Sequence, residues 1–132
     1  MTAFADTFAL IAWLNPLDNA HGVVAAYLDD FSGQLVTTEW VLMELADALA
    51  APEARSTAVA FLKAVHGDPL FEVVGFEPTV YQAGFDLFAA RPDKAWSLTD
   101  CISFSVMTER GLTEALTADH HFEQAGFRAV FK

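Results

Sequence analysis

Four acidic residues stand where folding alone gives a carboxylate little reason to be: Asp6, Glu44, Asp100 and Asp119. Three fall at apparent strand ends or helix starts, and Glu44 falls on the apolar stripe of a helix. Together they would line a pocket with oxygen, the donor that hard divalent cations take. Taken singly, each has a structural explanation. Asp6 and Asp119 are of the type that caps a helix N-terminus. Asp100, in the first turn of a helix capped by Thr99, gains about 0.3–1 kcal/mol from the helix dipole. Glu44 is harder to explain. It shares a helical face with Val41, Leu45, Ala48 and Leu49, and an acid on such a face is rarely buried without a partner.

The stronger argument is joint. Two like charges about 5 Å apart repel by roughly 3 kcal/mol at an effective dielectric near 20, so a cluster of four needs compensation. Mg²⁺ or Mn²⁺ would provide it, and Mg²⁺ keeps several waters, so a few carboxylates suffice. In a two-metal arrangement such ions activate a water and stabilise the leaving oxygen of a phosphodiester. The chemistry the quartet suggests is metal-dependent phosphodiester hydrolysis.

Short apolar runs alternate with longer helical patterns, with no linker, repeat or low-complexity tract. That order predicts βαβ units around a parallel sheet. Strands are expected at 3–5, 34–37, 71–74, within 112–117 and at 128–131. Helices are expected at 8–14, 19–31, 38–50, 55–65, 78–90, 99–110 and 119–125. In an open parallel sheet ligands bind outside the carboxyl ends of the strands. Asp6 and Asp119 each follow a strand and would sit on that edge.

The chain has 132 residues, the length of one domain, and all of 1–132 is assigned to it. One cysteine, Cys101, excludes an intrachain disulfide and suits a reducing compartment. The apolar stretch Phe8–Leu14 is far below the ~20 residues needed to span a bilayer, so the expectation is a cytoplasmic protein with no membrane association. The net charge is −11, whereas non-specific nucleic-acid binders are usually basic. A polyanionic substrate would therefore need metal ions for local positive charge. The apolar fraction, 54%, is above the usual 45–50% or so, a surplus that either a well-filled α/β core or an interface would use.

Four segments together resemble the PIN-domain ribonucleases, and among them the VapC-type toxins of toxin–antitoxin pairs. They are Ala5-Asp6-Thr7 before an apolar helix, Glu44 within the third helix, Trp96-Ser97-Leu98-Thr99-Asp100-Cys101 opening a later helix, and Leu116-Thr117-Ala118-Asp119-His120-His121-Phe122 after a late strand. The resemblance covers nearly the whole chain. It implies an α/β/α sandwich with a parallel sheet of four or five strands. It also implies a Mg²⁺- or Mn²⁺-dependent endoribonuclease whose metal ligands and catalytic acids are Asp6, Glu44, Asp100 and Asp119. Thr7 and Thr99 match the small hydroxyl residues that orient the first and third acids. It further implies a homodimer, an RNA substrate and a small antitoxin, a basic side chain of which would compete at the acidic pocket.

The remaining residues are read more plainly. Arg91 and Lys94 flank the segment before Asp100 and are the candidates for RNA phosphate contact. So few bases favour one structured RNA over sequence-independent binding. His120 and His121 are adjacent, so both are not expected to face the same way, and they read as a surface helix start. His21 and His66 read as surface or capping groups, Cys101 as a small core hydrophobe, and Trp13, Trp40 and Trp96 as packing. A phosphoaspartate enzyme of the haloacid-dehalogenase type would want a second Asp at position 8, which is Phe8. A receiver domain would want an Asp after the third strand, where Val74-Gly75-Phe76 offers none. The alternative that survives is a non-catalytic PIN-like interaction module.

Overall fold

In a computed structural model of residues 1–132, five parallel strands form one sheet in the order β3-β2-β1-β4-β5. They are β1 (Thr2–Ala5), β2 (Gln34–Thr38), β3 (Phe71–Val74), β4 (Glu114–Leu116) and β5 (Arg128–Ala129). Helices flank this sheet, giving the predicted α/β architecture with the upper of the two strand counts. They are α1 (Thr7–Leu14), α2 (His21–Asp29), α3 (Glu39–Ala48), α4 (Pro52–Ala64), α5 (Pro78–Ala90), α6 (Leu98–Arg110) and α7 (His120–Gln124).

The central strand β1 is short and apolar. Ala3, Phe4 and Ala5 are fully buried, as expected of a strand covered on both faces. Phe4 pairs with Val36 on one side and with Ala115 on the other. The chain winds outward from β1 in both directions, so β1 and β4 flank the point where strand order reverses. Such switch points open a crevice at the carboxyl ends of their strands. One apolar cluster of 25 buried residues, including Phe4, Leu10, Leu45, Phe104 and Phe122, joins sheet to helices. No helix is long and apolar enough to cross a membrane.

Local chemistry sets most boundaries. Thr38 caps α3 by accepting the Val41 N–H at 3.1 Å, and α6 stops at Gly111, whose φ of 66° is the left-handed conformation glycine adopts without strain. Three boundaries differ from expectation for identifiable reasons. The second helix starts later, at His21, because the Asn15 and Asp18 side chains accept the Leu17 and Ala20 N–H groups and hold 15–20 as a turn. The fourth starts earlier, at Pro52, which occupies the first helical turn, where its missing N–H costs nothing. The sixth is capped by Ser97, not Thr99. Ser97 Oγ accepts the Asp100 N–H at 2.9 Å and the Asp100 carboxylate accepts the Ser97 N–H at 3.2 Å, a closed capping box.

Candidate active site

Asp6 follows β1 and precedes α1. It occupies the N-cap position, yet its side chain makes no capping hydrogen bond. Its Oδ2 instead accepts the Thr117 hydroxyl at 2.9 Å. Thr117, just past β4, also accepts the Asp119 N–H at 3.1 Å. One buried hydroxyl thus spans the switch point and holds two of the four acids in register. Glu44, on α3, accepts the Thr7 hydroxyl at 2.6 Å. Asp100 is held by the capping box, and Asp119 caps α7 by accepting the His121 N–H at 2.9 Å.

The four acids converge at the carboxyl edge of the sheet. Burial is the main influence on Asp6 and raises its carboxyl from 3.8 to about 7. The Thr117 hydroxyl and a backbone N–H oppose that rise, and the charges of Asp100 and Glu44 add to it. Burial likewise raises Asp100, opposed by the Ser97 N–H and reinforced by the charge of Asp119. None of the seven Lys and Arg side chains pairs with any of the four. Arg91, Arg110, Arg128 and Lys132 pair with acids elsewhere, and Arg55 bonds a carbonyl. The pocket therefore carries negative charge that no Lys or Arg compensates.

Three sequence-based expectations need correcting. The Thr7 hydroxyl goes to Glu44 and only its backbone N–H to Asp6; the hydroxyl on Asp6 is that of Thr117, which sequence reasoning missed because it reads as the tail of a strand. Thr99 does not cap α6, so the Asp100 backbone is placed by Ser97. The two adjacent histidines do converge, with ring centroids 4.4 Å apart, because they open α7, where successive side chains point about 100° apart and not to opposite sides as on a strand. His121 Nδ1 lies 3.3 Å from Asp100 Oδ2 and 3.5 Å from Asp119 Oδ1. Of the two expected phosphate contacts, Arg91 is held by both carboxylate oxygens of Asp93 at 2.9 Å and lies over the Trp96 ring; Lys94 has no ion-pair partner.

Residues 3–128 match the family model described as PIN domain. The chain belongs to the PIN domain family. No curated protein matches the sequence. Among solved structures, this PIN domain is similar to the Mycobacterium tuberculosis VapC20, a sarcin–ricin loop cleaving toxin, at 25% identity and a TM-score of 0.89 over 98% of each chain. It shares its fold with FitAcB from Neisseria gonorrhoeae, at 18% identity and a TM-score of 0.67 over 98% of this chain and 96% of that one. It also shares it with VapBC2 from Rickettsia felis bound to a DNA fragment from their promoter, at 13% identity and a TM-score of 0.66 over 94% and 92%.

The donor set suits a hard cation. Four carboxylates, two of them with raised pKa and none paired with Lys or Arg, are the ligand type that Mg²⁺ and Mn²⁺ prefer. The set is open, and only Asp119, His120 and His121 bring three donor atoms within 4.8 Å of one another. An open oxygen set fits an ion that keeps part of its water shell.

Proposed function

We propose that this PIN domain, acting as one unit over residues 1–132, is a Mg²⁺- or Mn²⁺-dependent endoribonuclease and the toxin of a toxin–antitoxin pair. The observation that carries the reading is the convergence of Asp6, Glu44, Asp100 and Asp119 at the switch point with no Lys or Arg to neutralise them. In this reading those four residues hold the cation. When bound, it supplies an acidified water and charge neutralisation at the phosphodiester. The protein's own part is positioning. Thr117 fixes Asp6, Thr7 fixes Glu44 and the Ser97 box fixes Asp100, so the oxygens are preorganised before substrate arrives.

The similarity to a sarcin–ricin loop cleaving toxin supports RNA, and a structured RNA, as the substrate class. A partner protein is supported by a groove of about 590 Å³ at the far ends of α1 and α3, lined by Leu14, Pro16, Leu17, Leu49 and Ala54. None of the four acids lines it, so this groove is not the reaction site. A groove of this apolar character suits an antitoxin helix, and the acidic pocket suits a basic side chain from the same partner. Tyr81, Phe85 and Phe88 are exposed on one face of α5 and support a homodimer contact. The expected compartment is the cytoplasm.

The deciding experiment is cleavage of an RNA panel that includes a sarcin–ricin loop, with Mg²⁺ or Mn²⁺ against EDTA and Asp6→Ala as the control. Metal-dependent cutting that disappears in Asp6→Ala is expected. Binding of RNA or a protein partner with no cutting on any substrate would replace this reading with the non-catalytic interaction module.

A further inference from the structure

Beside the acid quartet lies a donor set of different chemistry. We infer that Asp119, His120 and His121 form a mixed oxygen–nitrogen site for a borderline divalent cation of the Zn²⁺ class, distinct in preference from the all-carboxylate set. The inference stands apart from the nuclease reading, with which it shares only Asp119 and, at its edge, Asp100.

The geometry is that of a ligand cluster. The donor atoms of the three residues all lie within 4.8 Å of one another. His120 Nδ1 is 3.6 Å and His121 Nδ1 3.5 Å from the same oxygen, Asp119 Oδ1. These spacings are too long for good N–H···O hydrogen bonds, which centre near 2.9 Å. They are close to the separation of about 3.3 Å between donors on a tetrahedral ion with bonds of about 2.0–2.1 Å. His121 Nδ1 and Asp100 Oδ2, at 3.3 Å, show the same spacing and put a fourth oxygen at the rim.

Local backbone chemistry builds this cluster. Asp119 Oδ1 accepts the His121 N–H, which ties the carboxylate to the first turn of α7. Thr117 Oγ1 accepts the Asp119 N–H, which ties that turn to the sheet. The half-exposed His120 ring then packs beside the less exposed His121 ring, 4.4 Å between centroids. Two imidazoles and a carboxylate, with water or Asp100 as the fourth donor, are a set that zinc takes. Mg²⁺ disfavours nitrogen donors, whereas imidazole suits Zn²⁺, Ni²⁺ and Cu²⁺. The other two histidines are engaged elsewhere, His21 with the Ala12 carbonyl and His66 with Glu39, and serve as internal controls.

The test titrates the full metal-free chain with ZnCl₂ and, separately, MgCl₂, by calorimetry and by imidazole ¹⁵N resonances. On Zn²⁺ the nitrogens of His120 and His121 should move while those of His21 and His66 stay. The His120→Ala/His121→Ala protein should lose roughly tenfold or more in Zn²⁺ affinity and keep its Mg²⁺ affinity. Its circular dichroism and melting curve check the fold, and the single changes His120→Gln and His121→Gln repeat the reading more gently. Asp6→Asn should weaken Mg²⁺ and leave Zn²⁺ in place. Unchanged Zn²⁺ affinity in the histidine variants, or imidazole resonances that ignore Zn²⁺, would overturn the site. Loss of both cations together in Asp6→Asn would overturn its separateness. Absence of RNA cleavage with Zn²⁺ still bound to the imidazoles would count against the nuclease reading alone.

Discussion

At the residue scale the most consequential group is Asp6, a buried carboxyl shifted from 3.8 to about 7. Its folded pKa lies above its unfolded value, so between these limits the folded chain holds a proton that the unfolded chain has released. The metal-free protein therefore loses stability as pH rises from about 4 to about 7, by on the order of 4 kcal/mol if Asp6 acts alone. Urea midpoints in EDTA should be higher at pH 5 than at pH 8. Asp6→Asn should flatten that profile and raise the midpoint at pH 8, while reducing cleavage at least about 100-fold. An unchanged profile in the variant would remove Asp6 as the cause. Thr117→Val keeps the side chain's shape but deletes the hydroxyl that serves Asp6 and Asp119. It should lower cleavage about tenfold or more at saturating RNA, a loss in kcat more than in KM, because positioning and not substrate binding is disturbed. Asp6, Glu44 and Asp119 were legible as local anomalies, a lone glutamate on an apolar stripe and aspartates after strands, whereas Asp100, in the first turn of a helix, stood out only in the joint pattern. Thr117 was not legible, since its importance comes from a partner 111 residues away. His121 was not either, because opposite-facing neighbours are a property of strands, whereas on the first turn of α7 successive side chains point about 100° apart.

At the element scale, α6 carries Asp100 and its first turn decides where that carboxylate points. Ser97→Ala removes the cap and should cost about 1 kcal/mol of stability along with activity, whereas Thr99→Ala should be nearly silent. The comparison, by urea unfolding and cleavage rate, discriminates between the two hydroxyls of the Ser97-Leu98-Thr99-Asp100 segment. Sequence alone pointed to Thr99 and not Ser97; either suits a cap, and boundaries shift by a residue or two with little change in pattern. The same helix leans on α5 through Gly84. A Cβ at that position would meet Ile102 Cγ1 at 2.3 Å and its Cα at 2.7 Å. Gly84→Ala gains about 1 kcal/mol of helix propensity, but the backbone contact leaves no room. A net loss of about 1–3 kcal/mol is expected from overpacking, measured by the urea midpoint. Strand and helix order could be read from periodicity, and the third strand falls on 71–74 as expected. The pairing of β1 with both β2 and β4 had no local signal, because parallel neighbours are joined through long crossovers.

At the scale of the whole molecule, charge and metal act together. With a net charge of −11 and Arg91 already engaged by Asp93, few cations remain to displace counterions from RNA. Binding should therefore depend weakly on salt, with a slope in log K against log[salt] of about −1 to −2. A steep slope would point to a basic surface this fold does not present. Metal removal should also show in stability. Free Mg²⁺ at 100 times its dissociation constant should add about 2.7 kcal/mol, visible as a melting shift that EDTA reverses and Asp6→Asn abolishes.

The hydroxyl of Thr117 on the carboxylate of Asp6 has a consequence in time. Residue 6 is made 111 residues before its partner, so one side of the pocket waits for the other. A chain still emerging from the ribosome has β1, β2 and β3 available but no β4 to close the central strand's other edge. Until residues 114–119 are released, Asp6 has no Thr117 to hold it and no Asp119 beside it. A product cut short before that point keeps Asp6, Glu44 and Asp100 but lacks Asp119 and the hydroxyl that fixes Asp6, so its acid set stays incomplete.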